Sequence, residues 1–300
     1  MKQIVECVPN FSEGRDAEIV REIAAAAAAI PGVKVLDLTS DADHNRSVLT
    51  FVGEPGAVRD AAVALVGAAL PRIDLRRHRG QHPRLGAVDV VPFIPIRDIE
   101  AKECVALARE AGRAIAEKYG LPVYLYEDAA SSEERRNLSN IRKGEFEGLA
   151  AKMKLPDWTP DFGPAEPHPS GGAVVVGARM PLIAYNINLG TSDLSVADRI
   201  AKSIRHIGGG FRYCKAMAVD LKDRGIVQVS INMTNYRKTP LFRVFECVKS
   251  EAARFGVNVV GSEIVGLTPA EALYDVAEFY LRIEKFSPDL VLETKLMKAD

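Results

Sequence analysis

Short β-rich runs alternate with longer helical patterns from the fourth residue onward, and the same order of runs occurs twice, which confines the chain to mixed α and β architectures. In the first half the apolar patterning predicts strand Ile4–Val8, helix Ala17–Ile30, strands Val33–Leu38 and Ser47–Val52, helix Gly56–Leu70 and strand Val88–Phe93. A helix near Ala101–Tyr119 and a strand over Val123–Tyr126 follow. The second half predicts strand Leu182–Asn188, helix Ser195–His206, strands Ala216–Leu221 and Val227–Met233, helix Pro240–Phe255, strand Val257–Val260 and a last helix from Pro269. Both halves read βαββαβ with additions. The expected fold class is therefore α+β, an α/β sandwich of two ferredoxin-like subdomains; the asparagines at strand ends in both halves suit a ligand crevice between them. The expected division is residues 1–178 and 179–300.

Some boundaries carry their own chemistry. Thr239 is placed to cap a helix whose first residue is Pro240, and Thr268-Pro269-Ala270-Glu271 predicts a capping box, the threonine taking the third amide while the glutamate reaches back. The segment 155–172 holds five of the chain's 17 prolines, together with Trp158, Phe162, Gly163, Gly171 and Gly172, and is expected to be an ordered linker closing the first half.

Composition excludes several functions. Lys plus Arg number 39 against 40 Asp plus Glu, a net charge of -1, so there is no global field for a polyanion and no nucleic-acid partner is expected. The four cysteines, Cys7, Cys104, Cys214 and Cys247, form no C-x-x-C pair and read as reduced, structural thiols. The apolar run Ile23–Ile30 is far shorter than the roughly 20 residues that span a bilayer, and the N-terminal residues lack a secretory signal's pattern. No membrane association and a cytoplasmic location are expected.

The densest chemistry lies in Arg76-Arg77-His78-Arg79-Gly80-Gln81-His82-Pro83-Arg84-Leu85-Gly86-Ala87-Val88-Asp89, between a helix and a strand, where glycines and Pro83 hold the backbone in defined turns. His78 and His82 have a zinc-like spacing, but no glutamate follows the first and Gly80 with Pro83 disfavours a helix, so no metal is expected. A histidine in such a loop suits proton transfer near neutral pH, and the adjoining arginines favour its neutral form. A second cluster is Thr39-Ser40-Asp41-Ala42-Asp43-His44-Asn45-Arg46. A third is the set of strand-end asparagines Asn10, Asn186, Asn188 and Asn232, which suit an amide-lined crevice. Arg46 and Arg84 are candidates to hold carboxylates by forked hydrogen bonds.

At these residues the chain resembles the glutamate formiminotransferases. The motifs are Glu6-Cys7-Val8-Pro9-Asn10-Phe11-Ser12-Glu13-Gly14, His82-Pro83-Arg84-Leu85-Gly86-Ala87-Val88-Asp89, Pro122-Val123-Tyr124-Leu125-Tyr126 and Asp161-Phe162-Gly163-Pro164. Tyr185-Asn186-Ile187-Asn188-Leu189 and Val260-Gly261-Ser262-Glu263-Ile264-Val265-Gly266-Leu267 complete them. The resemblance covers nearly the whole chain from Ile4 to about Leu281. It implies transfer of a formimino group from N-formimino-L-glutamate to tetrahydrofolate as co-substrate, giving 5-formimidoyltetrahydrofolate and glutamate in histidine degradation, without a metal, by a homodimer. It further implies that His82 is the catalytic histidine and that Gly163, Pro164, Ala165, Glu166, Pro167, His168, Pro169, Ser170, Gly171 and Gly172 contact the folate, which makes the linker part of the site.

Thr39 departs from members of the family that carry an acid there to orient the histidine; Asp41 or Asp43 would take that role if the loop bends suitably. Animal relatives carry a fused cyclodeaminase domain, and this chain is expected to act without one. Two rival readings are use of 5-formyltetrahydrofolate, as a formyl transferase to glutamate or an ATP-consuming cycloligase, and an RNA-binding module. The sequence has no phosphate loop of the G-x-x-x-x-G-K-[ST] type, and no basic-aromatic RNP pattern.

Overall fold

The computed structural model describes residues 2–299; Met1 and Asp300, the outer limits of the expected domains, lie outside them. The chain divides into two compact units, Met1–Met180 and Pro181–Asp300. The first holds β1 (Ile4–Cys7), β2 (Asn10–Phe11), α1 (Ala17–Ala28), β3 (Val33–Asp41), β4 (Arg46–Gly53), α2 (Pro55–Ala69), β5 (Val88–Arg97), α3 (Ala101–Tyr119) and β6 (Val123–Glu127). Three short helices, α4 (Glu133–Arg136), α5 (Leu138–Arg142) and α6 (Glu145–Lys152), then precede β7 (Val174–Ala178).

The first sheet runs β3, β4, β1 with β2, β5, β7, β6. The strands β1 and β2 are one line of chain broken at Val8-Pro9, and both lie between β4 and β5. The pairings among β1 to β5 are antiparallel, whereas β7 is parallel to both β5 and β6. α1, α2 and α3 pack on one face over a core that includes Phe11, Ile23, Phe51, Leu65, Phe93 and Ile115. The insertion carrying α5 and α6 covers the other face through Leu85, Val90, Tyr124, Ile141, Leu149 and Val175. Burial on both faces explains the unbroken apolar runs of β5 and β7. Local caps agree: Asp16 accepts from the amides of Glu18 and Ile19 at the head of α1, and α3 starts on a Glu100/Glu103 capping box and ends at left-handed Gly120.

The second unit holds β8 (Ile183–Leu189), α7 (Leu194–Ile204), β9 (Cys214–Leu221), β10 (Ile226–Met233), α8 (Leu241–Ala253), β11 (Val259–Val265), α9 (Ala270–Leu281) and α10 (Leu292–Ala299). Its sheet is wholly antiparallel in the order β11, β8, β10, β9. Within each βαββαβ run the first strand thus lies between the third and the fourth, and the second strand is outermost. Ile187, Val229, Ile231, Val244 and Val248 lie in the core of this unit. Among the described residues no helix is long and apolar enough to cross a membrane.

Segment 155–172, expected as an ordered linker, is bridged to the first sheet: Val123 pairs with Phe162, Gly86 pairs with Gly172, and the chain continues into β7. Two local expectations are corrected. The capping box at Thr268 is absent, because Glu271 instead accepts from the Tyr236 hydroxyl at 2.9 Å and from Arg237, leaving Pro269 as the cap. Likewise Pro240, not Thr239, is the cap of α8.

Candidate active site

Four chain segments meet at the start of β4 and before β5. The tight β3–β4 turn places Asn45 in the left-handed region at φ 49°, a conformation asparagine tolerates better than most residues. That buried side chain ties the segments together: Gly14 N–H donates to its Oδ1 at 3.0 Å, and its Nδ2 donates to the Arg79 carbonyl at 3.0 Å. Its own carbonyl accepts from His78 Nε2 at 2.9 Å, and Gln81 N–H donates to Asp43 C=O at 3.1 Å. The loop carrying His82 is therefore laced to the turn carrying His44.

The third and fourth segments join by backbone. Ser12 N–H donates to Ala87 C=O at 2.8 Å, Ala87 N–H to Gly171 C=O at 3.0 Å, and Ala173 N–H to Leu85 C=O at 3.3 Å; the Ser12 hydroxyl adds a bond to Gly86 C=O at 2.8 Å. Glycine is required at this crossing: a Cβ on Gly86 would lie 2.1 Å from the Ala173 oxygen, and one on Gly172, at φ +66°, 2.2 Å from the Leu85 oxygen.

His82 is half-buried, makes no hydrogen bond to any described residue, and faces the His44 ring edge-on at 6.4 Å between centroids. Burial, then the guanidiniums of Arg46 and Arg142, push its pKa down to about 3, with Asp89 opposing them. The free protein holds it as a neutral imidazole. Asp89, 2% exposed on β5, accepts Leu85 N–H at 2.7 Å and pairs with Arg142. Arg46 is pushed down to about 10 by burial and by Arg142 beside it. Its Nε, and that of Arg142, are buried donors with no partner among the described residues. Arg142 on Asp89 and Arg46 beside it, each with an unused donor, can form a seat for an anion.

The predicted site residues divide on these grounds. His82 and Arg46 come together, and Asn10 lies on β2 with Val48 of β4 and Val90 of β5 beside it, its Oδ1 buried and unpartnered. Gly171 and Gly172 abut the segment that follows His82, whereas Gly163, Pro164, Ala165 and Glu166 form an exposed stretch and Pro167 to Ser170 return from it. His168 Nδ1 accepts Gly171 N–H at 2.9 Å, so in the neutral ring its other nitrogen carries the proton and is a donor. Arg84 is already engaged: its fork holds Glu147 at 2.6 and 2.8 Å and Glu145 at 3.0 Å. Asn188 belongs to the second unit, where its Oδ1 accepts from Gln228 Nε2 at 2.9 Å; the same Nε2 donates to Glu263. Asp41 does not orient His82, because both its oxygens serve His44, one by the backbone N–H at 2.8 Å and one by Nδ1 at 3.0 Å.

Arg142 escaped the sequence reading. The available signal was Asp89: a carboxylate within Val88-Asp89-Val90-Val91 must find a buried partner. In Asp161-Phe162-Gly163-Pro164 the aspartate is structural, accepting Leu125 N–H at 2.8 Å and Arg135 at 3.0 Å. Each unit has a cavity of its own: in the first, one of about 370 Å3 is lined by His78, Arg79, Gly80, Arg84, Gly144, Glu145 and Glu147; in the second, one of about 430 Å3 is chiefly apolar, with Leu241, Phe242, Phe245 and Ile264 in its wall.

Residues 4–179 match the model of the formiminotransferase domain, N-terminal subdomain, and residues 184–298 that of the formiminotransferase domain. A glutamate formimidoyltransferase of Streptococcus pyogenes serotype M1 is 52% identical over 95% of this chain and 96% of its own. One of Thermoplasma acidophilum is 49% identical over 99% of this chain and 98% of its own. The formimidoyltransferase-cyclodeaminase of Gallus gallus is 45% identical over 95% of this chain but only 54% of its own length. With both domain models matched in order and about half of its residues shared with full-length relatives, the chain belongs to the formiminotransferase family.

Proposed function

We propose that the protein is a glutamate formimidoyltransferase, moving the formimidoyl group of N-formimino-L-glutamate to tetrahydrofolate as a step of histidine degradation. The observation that carries this reading is the half-buried imidazole of His82 beside the two guanidiniums of Arg46 and Arg142, each with a buried donor that has no partner among the described residues. The family membership supplies the substrates.

The reaction joins the formimidoyl carbon to N5 of the reduced pterin and breaks its bond to the glutamate nitrogen, so one nitrogen sheds a proton and the other gains one. A neutral His82 is the base that receives a proton there, work typically worth about 100- to 10,000-fold in rate. Arg46 holds a substrate carboxylate by its unused donors. That pairing removes one of the charges that depress His82 and so raises its capacity to take the proton just as substrate arrives. Asn10 contributes the acceptor of its unpartnered Oδ1, and the exposed stretch 163–166 with His168 offers backbone and ring donors to the folate. Arg84 keeps the wall rigid through Glu145 and Glu147.

The reading extends to two ferredoxin-like halves, supported by their shared strand order, and to a cytoplasmic homodimer. Four free thiols suit a reducing compartment, and exposed Leu290, Leu292, Leu296 and Met297 offer apolar surface to a second copy. The test is chromatographic: purified protein with N-formimino-L-glutamate and tetrahydrofolate is expected to yield a 5-substituted folate and free glutamate. Product only from 5-formyltetrahydrofolate, with or without ATP, would overturn the assignment.

A further inference from the structure

The Asp–His pair of this site is not at His82. It is His44 with Asp41, on the β3–β4 turn: Asp41 takes His44 Nδ1 at 3.0 Å and the His44 backbone N–H at 2.8 Å, which fixes the ring and leaves Nε2 as its working nitrogen. The turn cannot drift, because Gln81 N–H holds the Asp43 carbonyl, Asn45 holds Arg79, and Arg15 Nε donates to the Ala42 carbonyl at 2.9 Å. A Cβ on Gly80 would lie 2.2 Å from the His44 oxygen, so the two loops are in direct backbone contact. The His44 side chain is 47% exposed and meets the His82 ring edge-on.

From this juxtaposition we infer that His44, held by Asp41, is a second catalytic residue: the acid that protonates the departing glutamate nitrogen while His82 accepts the proton from N5. The inference rests on the transferase reading above. The balance is simple. As the C–N5 bond forms, the N5 proton goes to His82 Nε2 or Nδ1; as the bond from carbon to the glutamate nitrogen breaks, its electron pair takes the proton of His44 Nε2. His82 and His44 then exchange their protons with solvent, which reaches His44 directly. The charged surroundings suit this division. His44 faces Asp41 and the nearby Asp43 on its own turn, so its cation has a counter-ion, whereas His82 faces Arg46 from β4 and Arg142 from α5, with only Asp89 of β5 opposing them. Arg15, from the segment after β2, touches the turn through its carbonyl and not through either ring.

The test is steady-state kinetics across pH on the intact protein, the His44→Gln and Asp41→Asn variants measured beside the parent. His44→Gln is expected to lose about 100-fold in kcat with the tetrahydrofolate KM within about threefold, and to lose the decline of kcat at high pH that deprotonation of the acid produces. Asp41→Asn is expected to lose about tenfold in kcat with the tetrahydrofolate KM within about threefold, since the ring has lost the carboxylate that orients it. Turnover of His44→Gln within threefold of the parent, or a slower enzyme with the parent's high-pH decline intact, would overturn the role of His44. A parent that forms no 5-formimidoyltetrahydrofolate would instead withdraw the transferase reading itself.

Discussion

The His82 region of the first unit and the amide cluster of the second are built from similar materials and end in opposite states. In the second unit Asn186, Asn188, Gln228 and Glu263 satisfy one another across three strands, and none of their side chains carries a buried atom without a partner. Around His82, buried atoms of Asn10, Arg46, His78, Arg84 and Arg142 have no partner among the described residues. Buried polar groups are rarely left so, and a concentration of them marks a place where solvent or ligand completes the bonding. The lesson is that residue type alone does not distinguish a binding surface from a self-contained network; the unspent hydrogen-bonding capacity does.

The comparison breaks first at His82 itself. His82→Ala is expected to lower kcat by about 100- to 10,000-fold with little change in folate KM, measured by steady-state kinetics. Asp89→Asn attacks the same region through stability. It strips a nearly buried carboxylate from Arg142, and removing one partner of such a pair typically costs about 3–5 kcal/mol, to be read from denaturant unfolding. It also removes the one group that opposes the depression of His82. Arg46→Met is expected to raise the KM for formiminoglutamate about tenfold or more, since a forked charge-assisted contact is lost. In the second unit, by contrast, Asn188→Ala is expected to leave turnover of the folded protein within about threefold while lowering stability by about 1 kcal/mol, the worth of its hydrogen bond.

A further contrast is in acid. The folded pKa of His82 lies well below its unfolded value, so between about 6.5 and 3 the unfolded chain binds a proton that the folded one does not. Stability from this group is therefore fully present above pH 6.5 and falls as the pH drops through that window; His82→Gln should flatten that part of the profile.

Much of the fold was legible because its signals are local. The alternation Val227 to Met233 and the stripe of α8 need only their period to be read. What escaped depends on distance. β7 was hidden because Val174–Ala178 directly follows a Pro/Gly-rich stretch and is too short to separate from it without its neighbours β5 and β6. The helices α4, α5 and α6 span four, five and eight residues, too few turns to show a period. In the site, His82 and Arg46 were visible as residue types, but the engagement of Arg84 by Glu145 and Glu147, and of Asp89 by Arg142, joins positions more than fifty residues apart. The loss of an acid at Thr39 was plain in the sequence; that Asp41 serves His44 instead required the turn.

The claim on which the account turns is that His82 stands neutral among guanidiniums until an anion reaches Arg46. Nitrogen-15 NMR of the histidine rings, recorded from pH 4.5 to 8.5 with and without saturating glutamate, tests it directly, His82→Gln assigning the signal. The account predicts an imidazole that stays neutral throughout this range in the free protein and a midpoint that moves up when the dicarboxylate binds. Titration of His82 near 6.5 in the free protein, unmoved by glutamate, would contradict it.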